Sequence, residues 1–197
     1  DIELEVAGAL RGIDIGDERA KCRCRVNEYL ETSAPHIWAV GDTIEVRNPI
    51  SNTWTLIALG GPANRQGRIV ADNIFGAKKS YGGTLGTAIL RVFDLTVACV
   101  GLNEGLLQAN KTPYETIYLH PSHHASYYPG AERLDMKVLF HKESGALLGA
   151  QVVGKEGADK RIDVLATAIK AGMTIRDLSE LELAYAPPFG SAKDPIN

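Results

Sequence analysis

The chain has 197 residues, of which 45% are hydrophobic, and its formal net charge is −3. That length allows one large or two small globular domains with a real core. Because both signs of charge are interspersed, no basic field points to nucleic acid or to an anionic membrane. No uncharged run approaches the ~18 residues that a membrane span needs. The three cysteines are an odd number and make no disulfide framework, so a reducing cytoplasm is the expected location.

The first readable element is a short apolar run over residues 36–40, led in by Pro35 and stopped by Gly41 and Asp42. This pattern predicts a buried parallel strand. Asp42 would then lie at the carboxyl end of the strand, where open α/β sheets bind ligands and where a carboxylate can accept hydrogen bonds from sugar-like hydroxyls. A turn aspartate is an equally good interpretation, since Gly-Asp is common in turns.

A helix is predicted to begin near Pro62 and to end at Gly76, with proline in its first turn and glycine just past its end. One face carries mostly small residues, so a flat group could approach the backbone closely: Ala63, Gly67, Val70, Ala71 and Ile74. The N–H groups and positive dipole end of the helix start suit an electron-rich carbonyl or an anion. The polar stretch 78–83 follows, and we place a domain boundary there, between domains at 1–77 and 84–197.

Antiparallel strands followed by a helix are predicted in the second domain. Apolar residues that alternate from Phe93 to Cys99 indicate a half-buried strand, and residues 115–120 indicate another. Residues 134–141 and 146–153 flank a four-residue turn and predict a hairpin. One face of the following helix is apolar, formed by Ala158, Ile162, Leu165 and Ile169. The fold class is therefore α+β, preceded by a partial α/β segment.

Two motifs suggest ligands that the rest of the sequence does not support. His120, His123 and His124 form an H-x2-H-H cluster that could bind zinc, but no cysteine or carboxylate with ligand spacing joins them. A solvated or interface loop is the favoured interpretation, and no metal is expected. Residues 149–155 fit G-x4-G-K, but Glu156 replaces the Ser or Thr of a phosphate loop and the intervening residues are typical of a strand.

The order TSxPxIWAVGD, a loop, then LGGPANRQGRIVADNIFG resembles the C-terminal part of the FAD site in the pyridine nucleotide-disulfide oxidoreductases. In that family the aspartate of the GD motif binds the ribitol of FAD. The resemblance therefore implies cofactor contacts at Gly41, Asp42, Pro62 and Ala63, with the helix start pointing at the pyrimidine edge of the flavin. The region after residue 84 resembles the dimerisation domain of the same family, which implies a homodimer through residues 84–197.

The family carries its ADP-binding glycines, its redox cysteine and its NAD(P)H domain upstream of the region matched here. Cys22 and Cys24 form only a C-x-C, and Cys99 lies in an apolar run, so neither gives the C-x4-C or lone-cysteine redox motif. No G-x-G-x-x-G follows a strand. We therefore expect a C-terminal fragment that is inactive alone and binds FAD weakly or not at all.

Two tyrosines lie in proline-bounded segments that resemble coenzyme A-disulfide reductases, Tyr127 before Pro-Gly and Tyr185 in LAYAPPFGSAKDPIN. Those enzymes take two tyrosines from the partner subunit, which implies a catalytic role for Tyr127 and Tyr185; a phenol can donate a proton to a departing thiolate. Lys193 falls where such enzymes place a lysine against coenzyme A, and Asn64 or Arg65 is expected to face the same substrate. Packing is the alternative role for both tyrosines. The histidine–glutamate acid catalyst of classical members is missing.

The resemblance thus implies an FAD-dependent NAD(P)H:disulfide oxidoreductase that acts on coenzyme A disulfide or a related small-molecule disulfide. Hydride would pass from nicotinamide to flavin and then to a cysteine–coenzyme A mixed disulfide. Two alternatives stay open, a water-forming NADH oxidase or peroxidase on the same scaffold and a stand-alone dimerisation module without catalysis.

Overall fold

The computed structural model describes residues 24–197, which form two compact units divided between Thr84 and Leu85. Cys22 lies outside the described residues. None of the helices within 24–197 is both long and apolar enough to cross a membrane. Each unit has its own hydrophobic core and is described separately below.

Within residues 24–84, the first unit is rich in loops and has one long helix. Its elements are a 3-10 turn Gly41–Thr43, the antiparallel pair β1 (Val46–Arg47) and β2 (Trp54–Thr55), and helix α1 (Gly60–Ile74). Helix α1 confirms the predicted helix, begins two residues earlier than Pro62, and is followed by Gly76 with φ 87°. Ile69 and Val70 of α1 pack on a small core formed by Cys24, Leu30, Ile44 and Val46.

The predicted buried strand over residues 36–40 is wrong. His36 has φ 63°, Ile37 is 41% exposed, and Trp38 makes a single antiparallel bridge with Glu31. A buried parallel strand needs neighbouring strands on both sides. In the part of this unit that the structure describes, residues 36–40 are bridged on one side only, through Trp38 to Glu31, so they form no regular strand. Asp42 consequently lies in the 3-10 turn instead of at a strand end.

The second unit is a five-stranded antiparallel sheet with helix α3 packed against β4 and β7, which confirms the α+β fold class. The strand order is β3-β4-β7-β6-β5. The strands are β3 (Ala88–Val92), β4 (Leu95–Gly101), β5 (Tyr114–Leu119), β6 (Leu134–His141) and β7 (Leu147–Gly154). The helices are α2 (Glu104–Ala109), α3 (Ala158–Ala171) and α4 (Ile175–Leu178).

The strong sequence patterns of this unit are confirmed. Strands β6 and β7 pair as the predicted hairpin, with a register shift between Leu139 and Phe140. The predicted apolar face of α3 is buried, although Arg161 is buried with it. Helices α2 and α4 and strand β3 were not predicted.

The sequence pattern predicted the wrong buried face for β4. Phe93 lies in the two-residue turn between β3 and β4, with φ 55° and 95% exposure. The buried side chains of β4 are Ala98 and Val100, whereas Cys99 is exposed. Both faces of this strand are apolar, so alternation alone could not identify the face that contacts α3.

Both glycines of the G-x4-G-K stretch lie in β7, which confirms the strand interpretation. Each is needed there for close packing. Leu102 donates its N–H to the carbonyl of Leu148 at 2.9 Å, and a Cβ on Gly149 would lie 2.0 Å from the carbonyl oxygen of Leu102. A Cβ on Gly154 would lie 2.6 Å from Leu134 Cδ2. Both positions therefore require glycine for close packing, without any phosphate ligand.

Candidate functional site

The second unit brings the two candidate tyrosines together. The hydroxyl oxygens of Tyr127 and Tyr185 lie 2.9 Å apart, although the residues are separated by 58 positions in the sequence. Tyr127 is 74% exposed and Tyr185 is 48% exposed. The pair therefore presents two phenols at the surface, joined by one hydrogen bond.

Tyr127 is carried by the loop between β5 and β6. The base of this loop is closed by hydrogen bonds from Leu134 N to Pro121 O, at 2.8 Å, and from His123 N to Glu132 O, at 2.9 Å. At its tip, Tyr128 N donates to Ala125 O at 2.9 Å. The loop is thus a closed, internally bonded segment rather than a free strand connection.

Tyr185 is carried by the segment that follows α4. As predicted from its prolines, this segment is irregular. A turn follows Tyr185, in which Ala186 O accepts from Phe189 N at 2.8 Å and from Gly190 N at 3.1 Å. Ala125 N donates to Gly190 O at 2.9 Å, which joins this turn directly to the Tyr127 loop.

The contact between the phenols also affects the acidity of Tyr127. The hydrogen bond to Tyr185 is the largest cause that raises the pKa of Tyr127, and partial desolvation adds to it. Tyr127 therefore keeps its proton to a higher pH than a free tyrosine. A protonated phenol pair of this kind can donate a proton to an anion that forms beside it.

The histidine cluster is a structural feature of the same loop. His124 is only 5% exposed, so the predicted solvated environment is wrong for it. His123 Nε2 and His124 Nδ1 lie 2.7 Å apart, and His124 Nε2 lies 3.2 Å from the carbonyl of Tyr128. His120 instead pairs with Asp135, whose pKa this hydrogen bond and Arg133 hold below the usual range. Within residues 24–197, no group of three potential ligands could hold a metal ion.

Lys193 is exposed at the rim of a cavity of about 400 Å³ in the second unit. The cavity lies between β5, β6, α3, α4 and the end of the chain, and most of its lining is apolar. The Lys193 backbone is held by the hydroxyl of Ser191, which donates to the Lys193 carbonyl.

In the first unit, the candidate substrate residues Asn64 and Arg65 are both exposed on α1. The Arg65 guanidinium lies 5.2 Å from the centroid of the Tyr81 ring and donates to Gly83 O at 3.1 Å. Arg65 therefore helps to hold the chain after α1 as well as facing solvent.

The candidate flavin residues lie around the start of α1. Gly41 has φ 70°, and a Cβ there would lie 3.6 Å from the Cβ of Ala63, so the 3-10 turn packs closely on the helix. Asp42 is exposed in that turn. The residue before the helix, Leu59, provides no side-chain cap, and the first turn contains no acidic residue. An uncapped helix start fits an electron-rich carbonyl such as that of a flavin.

Sequence analysis missed Gln66, which holds this arrangement together. Its side chain is 1% exposed, and its Oε1 accepts a hydrogen bond from Gly41 N at 2.7 Å. Gln66 lies three residues after Ala63 and four before Val70, on the inward face of α1. Its position in the helical period is the signal that could have identified it.

Comparison with known proteins gives consistent matches over most of the chain. Residues 87–194 match the family model of the pyridine nucleotide-disulphide oxidoreductase dimerisation domain. Coenzyme A disulfide reductase of Staphylococcus epidermidis is 39% identical over 173 residues, which cover 87% of this chain and 39% of that protein. The chain therefore spans about two fifths of this curated relative.

Two solved structures match with high overlap. The crystal structure of reduced Bacillus anthracis CoADR-RHD has a TM-score of 0.90 and 51% identity, covering 94% of this chain and 33% of that one. A NAD-dependent persulfide reductase from A. fulgidus has a TM-score of 0.91 and 40% identity, covering 98% of this chain and 35% of that one.

Proposed function

Because the chain belongs to the pyridine nucleotide-disulphide oxidoreductase family, we propose that it forms part of an FAD-dependent enzyme that reduces coenzyme A disulfide or a related thiol disulfide with NAD(P)H. The observation that carries this proposal is the 2.9 Å contact between the hydroxyls of Tyr127 and Tyr185. The identity to a coenzyme A disulfide reductase over 87% of the chain supports the same substrate class.

The phenol pair supplies a proton where the reaction needs one. Reduction of a disulfide by NAD(P)H consumes one hydride and one proton and yields two thiols. When the sulfur–sulfur bond breaks, one sulfur departs as a thiolate, and a positioned phenol can protonate it. Either hydroxyl can donate within the pair, and the phenol that accepts there keeps its own proton for the thiolate.

The first unit supplies one side of the cofactor site. Asp42 would accept hydrogen bonds from the ribitol hydroxyls of FAD, and the N–H groups around Pro62 and Ala63 would face the pyrimidine edge of the flavin. Gly41 allows the close packing that brings Asp42 to this helix start. A flavin held by these residues would supply the two-electron relay between NAD(P)H and the disulfide.

Substrate contacts are assigned by charge. Coenzyme A carries phosphates, and the exposed ammonium of Lys193 and guanidinium of Arg65 are suitable partners for them. Asn64, adjacent to Arg65 on α1, can add neutral hydrogen bonds.

The second unit would form a symmetric homodimer. The β3–β4 hairpin exposes a run of large apolar side chains that no helix of the second unit covers, with exposures from 41% to 95%: Ile89, Leu90, Val92, Phe93 and Leu95. Exposed apolar surface of this kind marks an interaction site. A second copy of the chain is the partner that the dimerisation-domain match favours.

The experiment that tests this function uses the full-length enzyme and the variant Tyr185→Phe. If Tyr185 protonates the leaving thiolate, turnover of coenzyme A disulfide should fall by roughly 10²-fold, while flavin content and dimerisation stay unchanged. The same assay with a persulfide substrate tells which of the two related activities depends on the phenol.

A packing role gives a different result. In that case Tyr185→Phe keeps the ring, turnover stays within about twofold of the wild type, and only Tyr185→Ala lowers the melting temperature. Wild-type turnover in Tyr185→Phe would therefore end the assignment of Tyr185 as the acid.

A further inference from the structure

Arg161 is a charged residue in an otherwise apolar position. It lies on the inward face of α3 and is 1% exposed. Its guanidinium donates to both oxygens of Asp194, from Nη2 to Oδ2 at 2.8 Å and from Nε to Oδ1 at 3.3 Å. It also donates to the carbonyl of His123 at 2.7 Å and to that of Gly157 at 3.3 Å.

Asp194 is buried with its partner, at 4% exposure. Besides Arg161, its carboxylate accepts from Ile196 N at 3.2 Å, and Lys160 Nζ lies 3.5 Å away. A buried ion pair is costly to desolvate, and replacing it by apolar residues is often neutral or stabilising. The burial of this pair is therefore weak evidence for a purely stabilising role, and the segments that it joins are the feature to explain.

Those segments are the two that carry the tyrosines. His123 belongs to the loop that holds Tyr127, and Asp194 belongs to the segment that follows Tyr185. The Arg161 guanidinium hydrogen-bonds to both segments at once, and its side chain belongs to α3. The pair therefore joins the two segments and the helix. The hydrogen bond from Ala125 N to Gly190 O also joins the Tyr127 loop to the Tyr185 segment.

The surrounding backbone is shaped to admit this guanidinium. Gly157, the residue before α3, has φ 77°. A Cβ at this position would lie 2.7 Å from Arg161 Nη1 and 3.0 Å from the Cβ of His123. Glycine at position 157 thus allows α3, the Arg161 side chain and the Tyr127 loop to meet.

We propose that the Arg161–Asp194 pair is a positioning clamp that holds the Tyr127 loop and the Tyr185 segment in the register that brings their hydroxyls into contact. The clamp deepens the proposed function and rests on it, because its role in turnover depends on the phenol pair being the proton source. Arg161 and Asp194 are positioning residues, since both side chains are buried and act through the segments they join.

The test measures the contact between the phenols in the 197-residue chain itself, without any catalytic assay. Tyrosine labelled with ¹³C at Cζ gives a separate NMR signal for each ring, and the Tyr127 signal is identified by its loss in Tyr127→Phe. In the wild type, Tyr127 should titrate above the ordinary value of about 10, and Tyr185→Phe shows how far removal of the partner hydroxyl shifts it.

Two variants remove the clamp in different ways. Arg161→Met with Asp194→Leu leaves no unpaired buried charge, and Arg161→Lys keeps the charge but cannot bond Asp194 and the His123 carbonyl together in a fork. Circular dichroism shows that each variant is folded. The Tyr127 titration should move toward the ordinary value in both, and further in the double variant.

Lys137→Met is the matched control, because it removes the Glu104–Lys137 ion pair of the same unit, which has a 2.6 Å contact and touches neither tyrosine segment. It should leave the Tyr127 titration unchanged. A wild-type Tyr127 titration in the folded clamp variants would overturn the proposal, as would an equal shift in Lys137→Met.

In the full-length enzyme, Arg161→Lys should lower kcat on the order of 10²-fold, as misplaced catalytic groups do, with little change in KM for the disulfide. The two proposals fail separately. A shifted titration with unchanged turnover would contradict the role of the phenols in catalysis but leave the clamp intact. An unshifted titration contradicts the clamp whatever the turnover.

Discussion

Single buried polar side chains position both candidate sites. In the first unit the amide of Gln66 reaches the backbone of Gly41, and in the second unit Arg161 reaches the carbonyl of His123. In each case a side chain on a helix supplies the partner for a polar group of an irregular segment. Such groups are costly to leave unpaired, so substitution at these positions acts on the segment as well as on the helix.

Gln66→Leu tests this relation in the first unit. The substitution leaves the N–H of Gly41 without its acceptor, which should lower the free energy of unfolding by about 1–3 kcal/mol. Both tryptophans of the chain, Trp38 and Trp54, lie in this unit, so their fluorescence during urea unfolding reports on it alone.

Arg68→Leu provides the comparison for Gln66→Leu, because Arg68 lies on the exposed side of the same helix. It should change stability by no more than about 0.5 kcal/mol. Equal stability of Gln66→Leu and Arg68→Leu would show that the buried hydrogen bond to Gly41 does not hold the turn.

Among the elements, α4 is the shortest helix of the second unit, and both halves of a capping box are present at its start. Thr174 and Asp177 form a reciprocal capping box, in which the Asp177 carboxylate accepts from Thr174 N at 2.6 Å and from Thr174 Oγ1 at 2.8 Å. The backbone hydrogen bond from Thr174 is the largest cause that lowers the pKa of Asp177. The cap is therefore sensitive to pH.

The direction of this pH dependence follows from the lowered pKa. Asp177 binds its proton less tightly in the folded chain than in the unfolded chain, so it stabilises the fold above the unfolded pKa of about 3.9. This contribution is lost as the pH falls through the folded pKa. Asp177→Asn should therefore show a smaller loss of melting temperature than the wild type between about pH 5 and pH 2.

Thermal unfolding followed by far-ultraviolet circular dichroism measures this difference. Asp163→Asn, on the exposed face of α3, controls for the removal of a carboxylate as such. If Asp177→Asn and the wild type lose the same melting temperature on acidification, the capping box makes no pH-dependent contribution.

At the scale of the whole molecule, the exposed β3–β4 hairpin predicts self-association. A specific dimer would bury on the order of 1,600 Å² or more, and the wild type should scatter light as a dimer at tens of micromolar. Charge at the hairpin should oppose burial, so Leu90→Asp with Phe93→Asp should be monomeric. Lys78→Asp, exposed in the first unit, should remain dimeric. A monomeric wild type would contradict the proposed dimer.

Cofactor binding is also a property of the whole molecule. Under the proposed function, Asp42 and the start of α1 are one side of a flavin site, so we expect the 197-residue chain to bind FAD weakly or not at all. Gel filtration of the chain after incubation with FAD, followed by visible absorbance, measures this. Stoichiometric flavin in the protein peak would show that these residues form a sufficient site.

Sequence patterns correctly predicted the elements in which apolar residues recur regularly along one face over many residues. The β6–β7 hairpin and the apolar face of α3 are of this kind, whereas α2 and α4 are too short for a helical period to show. Strand β3 was missed because its apolar residues are consecutive and Arg91 interrupts them. The prediction of a buried strand over residues 36–40 was wrong because such a strand needs neighbouring strands on both sides. Within residues 24–84, the structure does not supply them.

For the candidate site, resemblance selected Tyr127 and Tyr185, but the sequence could not show that they meet. Their contact spans 58 positions and depends on the path of two irregular segments. Arg161 was missed because arginine is usually a surface residue, and its burial depends on contacts with Asp194 and two backbone carbonyls that the sequence does not show. Both omissions concern long-range polar contacts, which leave no periodic signal in a sequence.

The order of strands in the second unit has a consequence during synthesis on the ribosome. Strand β4 pairs with β7, so the β3–β4 hairpin is translated well before its inner neighbour exists. Until β7 emerges, β4 presents an open apolar edge, which is a template for pairing with other chains. A polypeptide that ends before Leu147 lacks β7 and keeps that edge open. The last strand to be translated is thus the one that protects the nascent domain from aggregation.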